Sequence, residues 1–515
     1  MGVVTRKSNY TPVVKFKTKP YKHQRQCLAQ FGHREFFALL AEMGTGKTWI
    51  VINNLAELWT KKMCDAALVF APNGVQGMWK RLQLPEHMPA SVRYSAVAWY
   101  AQQDRKDKAE LDAIMRPAAD GRLRVLTMNW EALQNPRGFL AAYTFARSAK
   151  HLAIVCDESH NIKNPKTKRW KSLMKIRQFS KWRRIMTGTP IDGKPYSAFG
   201  QYVFLSEEIL GTTSYTAFKA EYAEMLHMNH PLVQRIIEKN ALRFVPQIEA
   251  RDPVTNQPRY KNLDRLARLI APHSFRALKK DCLDLPPKLP PKLLFCKMTK
   301  QQAAIYKRAE KEYRLEYEGE MTPMNKLAIA TKLSQITSGY YLHQLAEEPV
   351  RIPGPNPKMD LLMEHVELTL EAGKKLIIWA RYTIQIEDIL KNLREKFGKA
   401  SCVSYYGAVK RKDRDAAIEA FERGAASIFV GNQQAGGTGI TLVSASWMFY
   451  FSNNWSLIDR LQSEDRAHRI GQTENLQCVD FVAEGTVDES MVTGVALKKD
   501  VADVIVDPSF QLFTR

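Results

Sequence analysis

Three short stretches carry residue types that suit phosphate chemistry. AEMGTGKTW (41–49) follows the apolar run FFALL and opens an amphipathic segment. Gly44 and Gly46, on either side of Thr45, let backbone N–H groups approach phosphate oxygens at a helix N-terminus. Lys47 then suits the β- and γ-phosphates, and the Thr48 hydroxyl suits Mg2+. Ala41 stands where such a loop usually has its first glycine. IVCDESHN (154–161) ends a second apolar run in two carboxylates: Asp157 suits a metal ion, and Glu158 an attacking water. MTGTPI (186–191) ends a third, where Thr187 and Thr189 have hydroxyls for the acidic pair or for nucleic acid. Taken singly, the second and third could be ordinary strand-ending turns, whereas the first, with a strand before it and a helix after it, fits a phosphate-binding loop. On one sheet they make a nucleotide-hydrolysing site. SEDRAHRIGQT (463–473) places Arg466 and Arg469 three apart; alone it reads as a basic turn of helix on the surface.

These groups need a scaffold that brings strand ends together. EFFALLA (35–41), AALVFA (66–71), RVLTM (124–128), HLAIVC (151–156) and RRIMTG (183–188) are short buried-strand runs, most of them separated by helical segments. That alternation predicts a parallel sheet. From about 206 to 350 strand-like runs become rare and charged helical segments dominate, with a proline-broken linker at DLPPKLPPK (284–292). The alternation resumes at KKLIIWA (374–380), ASCVSYYG (400–407), ASIFVG (426–431) and SWMFYFS (446–452). The fold class is therefore α/β: two parallel-sheet lobes around a helical insertion. The expected boundaries are a basic tail at 1–20, a first lobe at 21–205, the insertion and linker at 206–355, a second lobe at 356–490, and a C-terminal helix and tail at 491–515.

Composition limits the partners. The 515 residues are too many for one core and predict two or three domains. A formal charge of +23 points to a polyanion, nucleic acid first and an anionic membrane second. The seven cysteines are scattered with no C-x-x-C, which disfavours a disulfide framework or a zinc ribbon. No run reaches membrane-spanning length and the N-terminus has no apolar signal region, so a soluble, cytoplasmic protein is expected, in a host cell if the source is viral.

YKHQRQ, AEMGTGKT, VFAP, DESH and TGTP, in that order, resemble the first-lobe motifs of superfamily-two helicase-like ATPases. FVGNQQAGGTGITLVSASWMFYFSNNWSLIDRLQSEDRAHRIGQT closely resembles the motif V and VI block of Swi/Snf-type DNA translocases. NLDRLARLIAPHSFRALKKDCLDLPPK (262–288) and TKLSQITSGYY (331–341) resemble that family's segments between the lobes. The resemblance covers roughly residues 20 to 490. It implies two RecA-like lobes, ATP and Mg2+ as cofactors, and tracking along double-stranded or branched DNA without routine strand separation. It also implies residue roles: Gln24 reading adenine, Lys47 and Thr48 in the phosphate loop, and Asp157 and Glu158 in the acidic box. Gly437 and Gly439 become the motif V glycines, and Gln462, Arg466, Arg469 and Gln472 the motif VI series. The two arginines would reach the γ-phosphate from the opposite lobe, where such a finger is worth ~10³–10⁵ in rate. Asn454, Ser456 and Leu457 depart from the family's usual Asp, Asn and Pro around Trp455, and Thr438 replaces a common leucine.

For nucleic acid, residues 161–184 carry ten Lys or Arg and no acid. Lys163, Lys80 and Arg381 are candidate phosphate contacts, with Thr438 beside the motif V glycines. Trp79, Trp170 and Trp379 are expected to pack rather than to stack on bases. No sequence-reading module is evident, so binding should be backbone-driven and salt-dependent. A compact, monomeric, stand-alone motor of the bacterial or bacteriophage kind is the expectation. A strand-separating DNA or RNA helicase and a non-catalytic nucleic-acid scaffold with a vestigial nucleotide site are the alternatives.

Overall fold

The computed structural model describes residues 10–239, 247–252, 258–316, 323–341, 349–433 and 440–506. The chain divides into two compact units after Leu283, and of the described residues 498–506 belong to the first. The division falls in the proline-broken stretch, where repeated Pro removes backbone donors and stops both helix and ladder.

In the first unit β1 (Phe36–Ala41), β2 (Ala66–Ala71), β3 (Tyr94–Ala98), β4 (Leu123–Asn129), β5 (Leu152–Asp157), β6 (Ser180–Met186) and β7 (Ser274–Ala277) form one sheet. Its order is β3-β4-β2-β5-β6-β1-β7, and every pairing is parallel. Both faces are covered: Ala38 and Leu40 of β1 enter one apolar core, and Phe37, Leu39 and Ala41 the other. Continuous apolar runs rather than alternating ones are the consequence.

In the second unit β8 (Lys292–Cys296) precedes a short antiparallel pair, β9 (Tyr340–Tyr341) with β10 (Val350–Arg351). Then come β11 (Lys375–Trp379), β12 (Cys402–Tyr405), β13 (Ile428–Gly431), β14 (Ala445–Tyr450) and β15 (Gln477–Ala483). Apart from β9 and β10 these form a six-stranded parallel sheet, β12-β13-β11-β14-β15-β8. Every strand run read from the sequence is present.

The expected domain boundaries need correction. Residues 206–355 do not form a unit of their own. They supply helices to both units and one strand to each large sheet: β7 pairs with β1 and β8 with β15. The last helix is Val487–Val506, so it starts before the expected 491.

The expected tail at 1–20 is also not free over its described part. Val14 is buried in the first unit, and Tyr10 donates to the Glu57 carboxylate on helix Lys47–Thr60. Phe16 meets Trp49 edge-on at 4.9 Å, and the Trp49 indole donates to Thr18 Oγ1 at 2.7 Å. Residues 10–20 thus strap the helix that follows the phosphate loop. The basic composition hid this, because the contacts use Tyr10, Val14, Phe16 and Thr18 rather than the lysines. Among the described residues, no helix is long and apolar enough to cross a membrane. Val14→Ala removes two buried methyl groups and should cost about 2 kcal/mol in urea unfolding of the first unit; an unchanged midpoint would return the segment to tail status.

Candidate active site

Parallel pairing places the three motif-bearing ends side by side. β5 pairs with β6 so that Asp157 lies opposite Met186, and β6 pairs with β1 so that Met186 lies opposite Leu39. The phosphate loop, the acidic box and the Thr187 turn therefore leave neighbouring strands at one edge, although 41, 157 and 187 are far apart in the chain.

The loop at 41–48 has the expected geometry. Gly44 and Gly46 both have φ of +79°, which an L side chain rarely adopts. Lys47 is buried and donates to the carbonyls of Ala41 at 2.8 Å and Glu42 at 3.2 Å. Thr45 Oγ1 donates to the same Glu42 carbonyl, and the partly buried Thr48 lies in the first helical turn. Ala41 is the last residue of β1 and its φ is not positive, so no glycine is needed there. Gln24 and His23 lie against this loop. Gln24 Nε2 donates to Gly46 O at 3.3 Å while its Oε1 accepts from Tyr21 N at 2.9 Å, and His23 Nε2 donates to Thr45 O at 2.7 Å. Gln24 braces the loop as well as lying beside it.

Asp157 is buried and Glu158 partly buried, and both are held by their neighbours. Trp79 Nε1 donates to Asp157 Oδ2 at 3.2 Å, and Trp130 Nε1 to the Asp157 carbonyl at 2.9 Å. Thr187 Oγ1 donates to Glu158 Oε2 at 3.1 Å, and Thr189 N to Thr187 Oγ1 at 3.1 Å. His160 Nδ1 sits 3.3 Å from Glu158 Oε2. Glu158 itself adopts φ +50°, a strained backbone for a non-glycine residue and a common mark of functional sites. Burial, and next the Glu158 charge, push the Asp157 carboxyl up from its usual range. Burial also opposes ionisation of Glu158, but His160, Lys47 and Thr187 outweigh it and hold that carboxyl down. Two carboxylates against one ammonium leave the site short of positive charge, which suits a divalent cation. The sequence did not mark Trp79, Trp130 or His160 for this site.

The second unit holds the arginine turn. Helix Leu457–Glu464 ends just before Arg466, so Arg466 and Arg469 sit in turns rather than in a helix. Arg466 is buried, and its carbonyl accepts from Leu442 N at 2.9 Å. Arg469 Nη1 donates to Ile440 O at 3.3 Å, and burial pulls its guanidinium below the usual value. Gln472 is a brace: its amide donates to Ala445 O and Ala467 O, and its oxygen accepts from Thr473 N and Glu474 N. Gln462 is partly buried on the helix. The atypical Asn454 and Ser456 rebuild the helix start. Ser456 Oγ accepts from Asp459 N at 3.1 Å, and Asn454 Oδ1 accepts from Ser456 N at 2.8 Å. Gly437, Thr438 and Gly439 lie outside the described residues.

Below the turn is a buried charge network that the sequence did not announce. Arg460 grips Asp480 with two nitrogens at 2.5 and 3.0 Å, donates to Glu464 at 2.7 Å, and lies 3.5 Å from the Tyr450 ring centroid. Lys288 pairs with Glu464 at 2.5 Å. The available signal was Asp480, an acid inside the apolar run CVDFVA, which calls for a buried cation.

The DNA-contact candidates already have partners in their own units. Lys80 pairs with Glu110, Lys163 with Asp192 at 2.5 Å, and Arg381 Nη2 donates to Thr331 Oγ1 at 3.3 Å. The basic run 161–184 divides. Arg184 is buried against Asn54 and Arg183 is tied to backbone carbonyls, whereas Lys166, Lys168, Lys171 and Lys175 are exposed. Trp79 and Trp379 are buried, and Trp170 donates to Gly200 O, so all three pack.

A phosphate loop on the sheet edge beside an acidic box, with a second parallel-sheet unit following, defines a two-lobed RecA-like P-loop protein. The particular family is also shown: residues 23–344 match the SNF2-related domain and residues 357–471 the helicase conserved C-terminal domain, so the chain belongs to the SNF2-related family. It is 25% identical over 507 residues to the putative ATP-dependent helicase/translocase YwqA of Bacillus subtilis, covering 96% of this chain and 49% of that protein. It is 27% identical over 471 residues to the DNA repair and recombination protein RDH54 of Saccharomyces cerevisiae, covering 87% of this chain and 45% of that one. A Sulfolobus solfataricus SWI2/SNF2 ATPase core in complex with dsDNA aligns over 97% of this chain and 95% of its own, at 24% identity and a TM-score of 0.40. The chain spans about half the length of the curated relatives it matches.

Two outcomes are expected. A Cβ on Gly46 would lie 2.2 Å from Gln24 Nε2 at a φ of +79°, so Gly46→Ala should weaken binding of a fluorescent ATP analogue by at least about tenfold. In the second unit burial disfavours a charged Glu464, but Lys288 and Arg460 outweigh it and hold the carboxyl down to about 2. A lowered carboxyl pKa stabilises the fold above the unfolded value of about 4.3, and that stability is lost as pH falls toward 2. Glu464→Gln should therefore flatten the stability of this unit between pH 4.5 and pH 2, read by denaturant unfolding at a series of pH values.

Proposed function

We propose that the chain is an ATP-dependent double-stranded DNA translocase, a DNA-stimulated ATPase that moves along duplex or branched DNA without reading its sequence. The observation that carries this is the convergence of Lys47, Asp157, Glu158 and Thr187 on adjoining strand ends within a family member. The relatives named for helicase or translocase work and for DNA repair and recombination support the same reading.

Lys47 exchanges its carbonyl contacts for the β- and γ-phosphate oxygens, and the loop N–H groups around Gly44 and Gly46 cradle the rest. Thr48 and Asp157 would hold Mg2+, which supplies charge neutralisation for the phosphates when bound. Glu158, kept ionised by its neighbours, orients the attacking water and takes its proton, while Thr187 holds the carboxylate in place. Arg466 and Arg469 act on the γ-phosphate from the second unit, where a planar guanidinium stabilises charge spread over the transferred group. Hydrolysis then removes the group that both units grip, and alternating closure and release become steps along the duplex. Lys80, Lys163 and Arg381 contact DNA phosphates, with Thr438 near the backbone, giving salt-dependent and sequence-blind affinity.

Phosphate release measured with no nucleic acid, single-stranded DNA, duplex DNA, a forked junction and RNA tests this. Duplex or forked DNA should stimulate most; stimulation by RNA alone would overturn it. Strand separation on a tailed duplex would favour the helicase alternative. Glu158→Gln, Arg466→Ala and Arg469→Ala should each abolish most hydrolysis, on the order of 10³-fold, with DNA binding kept. Parental turnover in Glu158→Gln would remove its water-activating role, and parental turnover in both arginine variants would return those residues to structural charge.

A further inference from the structure

Trp79 was expected only to pack, yet its indole N–H is aimed at the carboxylate of the acidic box. It is 1% exposed and donates to Asp157 Oδ2 at 3.2 Å. It also opens a π-helical turn, Trp79–Gln83, closed by Leu84 N donating to Trp79 O. Single π turns are costly insertions that recur at functional sites, because they re-aim side chains that an α-helix would point elsewhere. Here the turn sends Trp79 inward and leaves the next residue, Lys80, partly exposed at the protein surface.

Lys80 meets an acid at the protein surface. It pairs with Glu110 of helix Arg105–Ile114, with both side chains about one-third exposed, and the two line a cavity of about 560 Å3 beside β3 with Ser95, Ala96 and Arg122. An ion pair with both members one-third exposed contributes little, and its cation can exchange the carboxylate for a phosphate oxygen. The flanks of the turn are anchored: Thr127 Oγ1 donates at 2.8 Å to the carbonyl of Gln76, just before it, and Leu84, just after it, is fully buried. Lys80 and the indole-bearing Trp79 are therefore adjacent residues of one short turn whose two ends are fixed.

We infer that the π turn Trp79–Gln83 couples a polyanion contact at Lys80 to the placement of the Asp157 carboxylate, with Trp79 as the positioning residue. This rests on the proposed nucleotide and DNA activity for its ligands, and on the Trp79–Asp157 contact for its mechanism. Phosphate that draws Lys80 from Glu110 shifts the turn, and the indole shifts or tightens on Asp157. DNA binding thereby changes how well the acidic box holds its cation.

Trp79→Phe keeps the ring and removes only the donor. Losing a hydrogen bond to a buried carboxylate should weaken binding of a fluorescent ATP analogue about tenfold or more when Mg2+ is present, and leave it unchanged in EDTA. The ratio of ATPase rates with and without duplex DNA should fall, while duplex affinity stays parental. A thermal melt equal to the parent's separates this from unfolding. Lys80→Ala keeps the indole in place; it should retain the Mg2+-dependent nucleotide affinity and lose most of the stimulation. Parental Mg2+-dependent affinity in Trp79→Phe would overturn the positioning role, and full stimulation in Lys80→Ala would overturn the coupling. A parent chain that duplex DNA does not stimulate would instead refute the translocase reading, and the nucleotide titration would still test the Trp79–Asp157 contact.

Discussion

Two parallel ladders, β5 to β6 and β6 to β1, are the constraint on which the site depends. In a parallel sheet all strands end at the same edge, so whatever follows each strand must meet its neighbours there. The ladder order places β6 between β5 and β1, and so sets Thr187 between the acidic box and the phosphate loop. The Thr187 hydroxyl then reaches Glu158 with no special geometry of its own. A sheet covered on both faces also makes that edge the natural place for polar groups that must meet a ligand, since a polar group buried under a face needs a partner from the fold itself.

The two units treat buried charge differently, and the difference separates structure from function. In the second unit Arg460 and Lys288 face Asp480 and Glu464, two cations against two anions, with the hydrogen-bonding capacity largely met. Lys358 and Asp488 repeat the pattern, with Thr337 donating to the same carboxylate. Such closed sets hold elements in register, and breaking one leaves an uncompensated charge costing about 3–5 kcal/mol. In the first unit the cation that Asp157 and Glu158 share among the described residues is Lys47, with His160 beside Glu158. That set is not closed. Its excess negative charge, together with the left-handed backbone of Glu158, is a cost that folding alone does not explain.

Polar residues inside the first unit do another kind of work. Arg184 is fully buried, and its Nε donates to Asn54 Oδ1 at 2.8 Å. Asn54 in turn donates to the Gly32 carbonyl. Burial lowers the Arg184 guanidinium to about 9, and the rings of Phe37 and Trp182 lie against it. Strand β6, the helix after the phosphate loop and the helix carrying Gln24 are thereby tied through one amide. The N-terminal strap closes over the same helix through Glu57 and Trp49. The phosphate loop is braced from three sides before any ligand arrives.

The sequence by itself determined the strand cores and the chemistry at their ends. Apolar runs bounded by glycine, acid and threonine can be read because a doubly covered strand leaves little choice of residue. Gly44 and Gly46 were legible for the same reason: the backbone there leaves little else. The strands β3, β7, β8 and β15 were not legible. β3, β7 and β8 are short edge strands with polar or exposed positions, and β15 has Asp480 in its middle. An acid in a core strand makes sense only once Arg460, twenty residues away, is folded against it. The prolines at 284–292 were visible, but neither the division of the units there nor the sharing of 206–355 between two sheets was, because strand pairing is a long-range choice. Tertiary structure alone decided that Trp79 and Trp130 hold Asp157, that Gln24 and Gln472 brace backbone, and that the basic run 161–184 is partly interior. Hydrogen-bond partners depend on which surfaces meet, and residue type states only what a side chain can do, not what it will be placed beside.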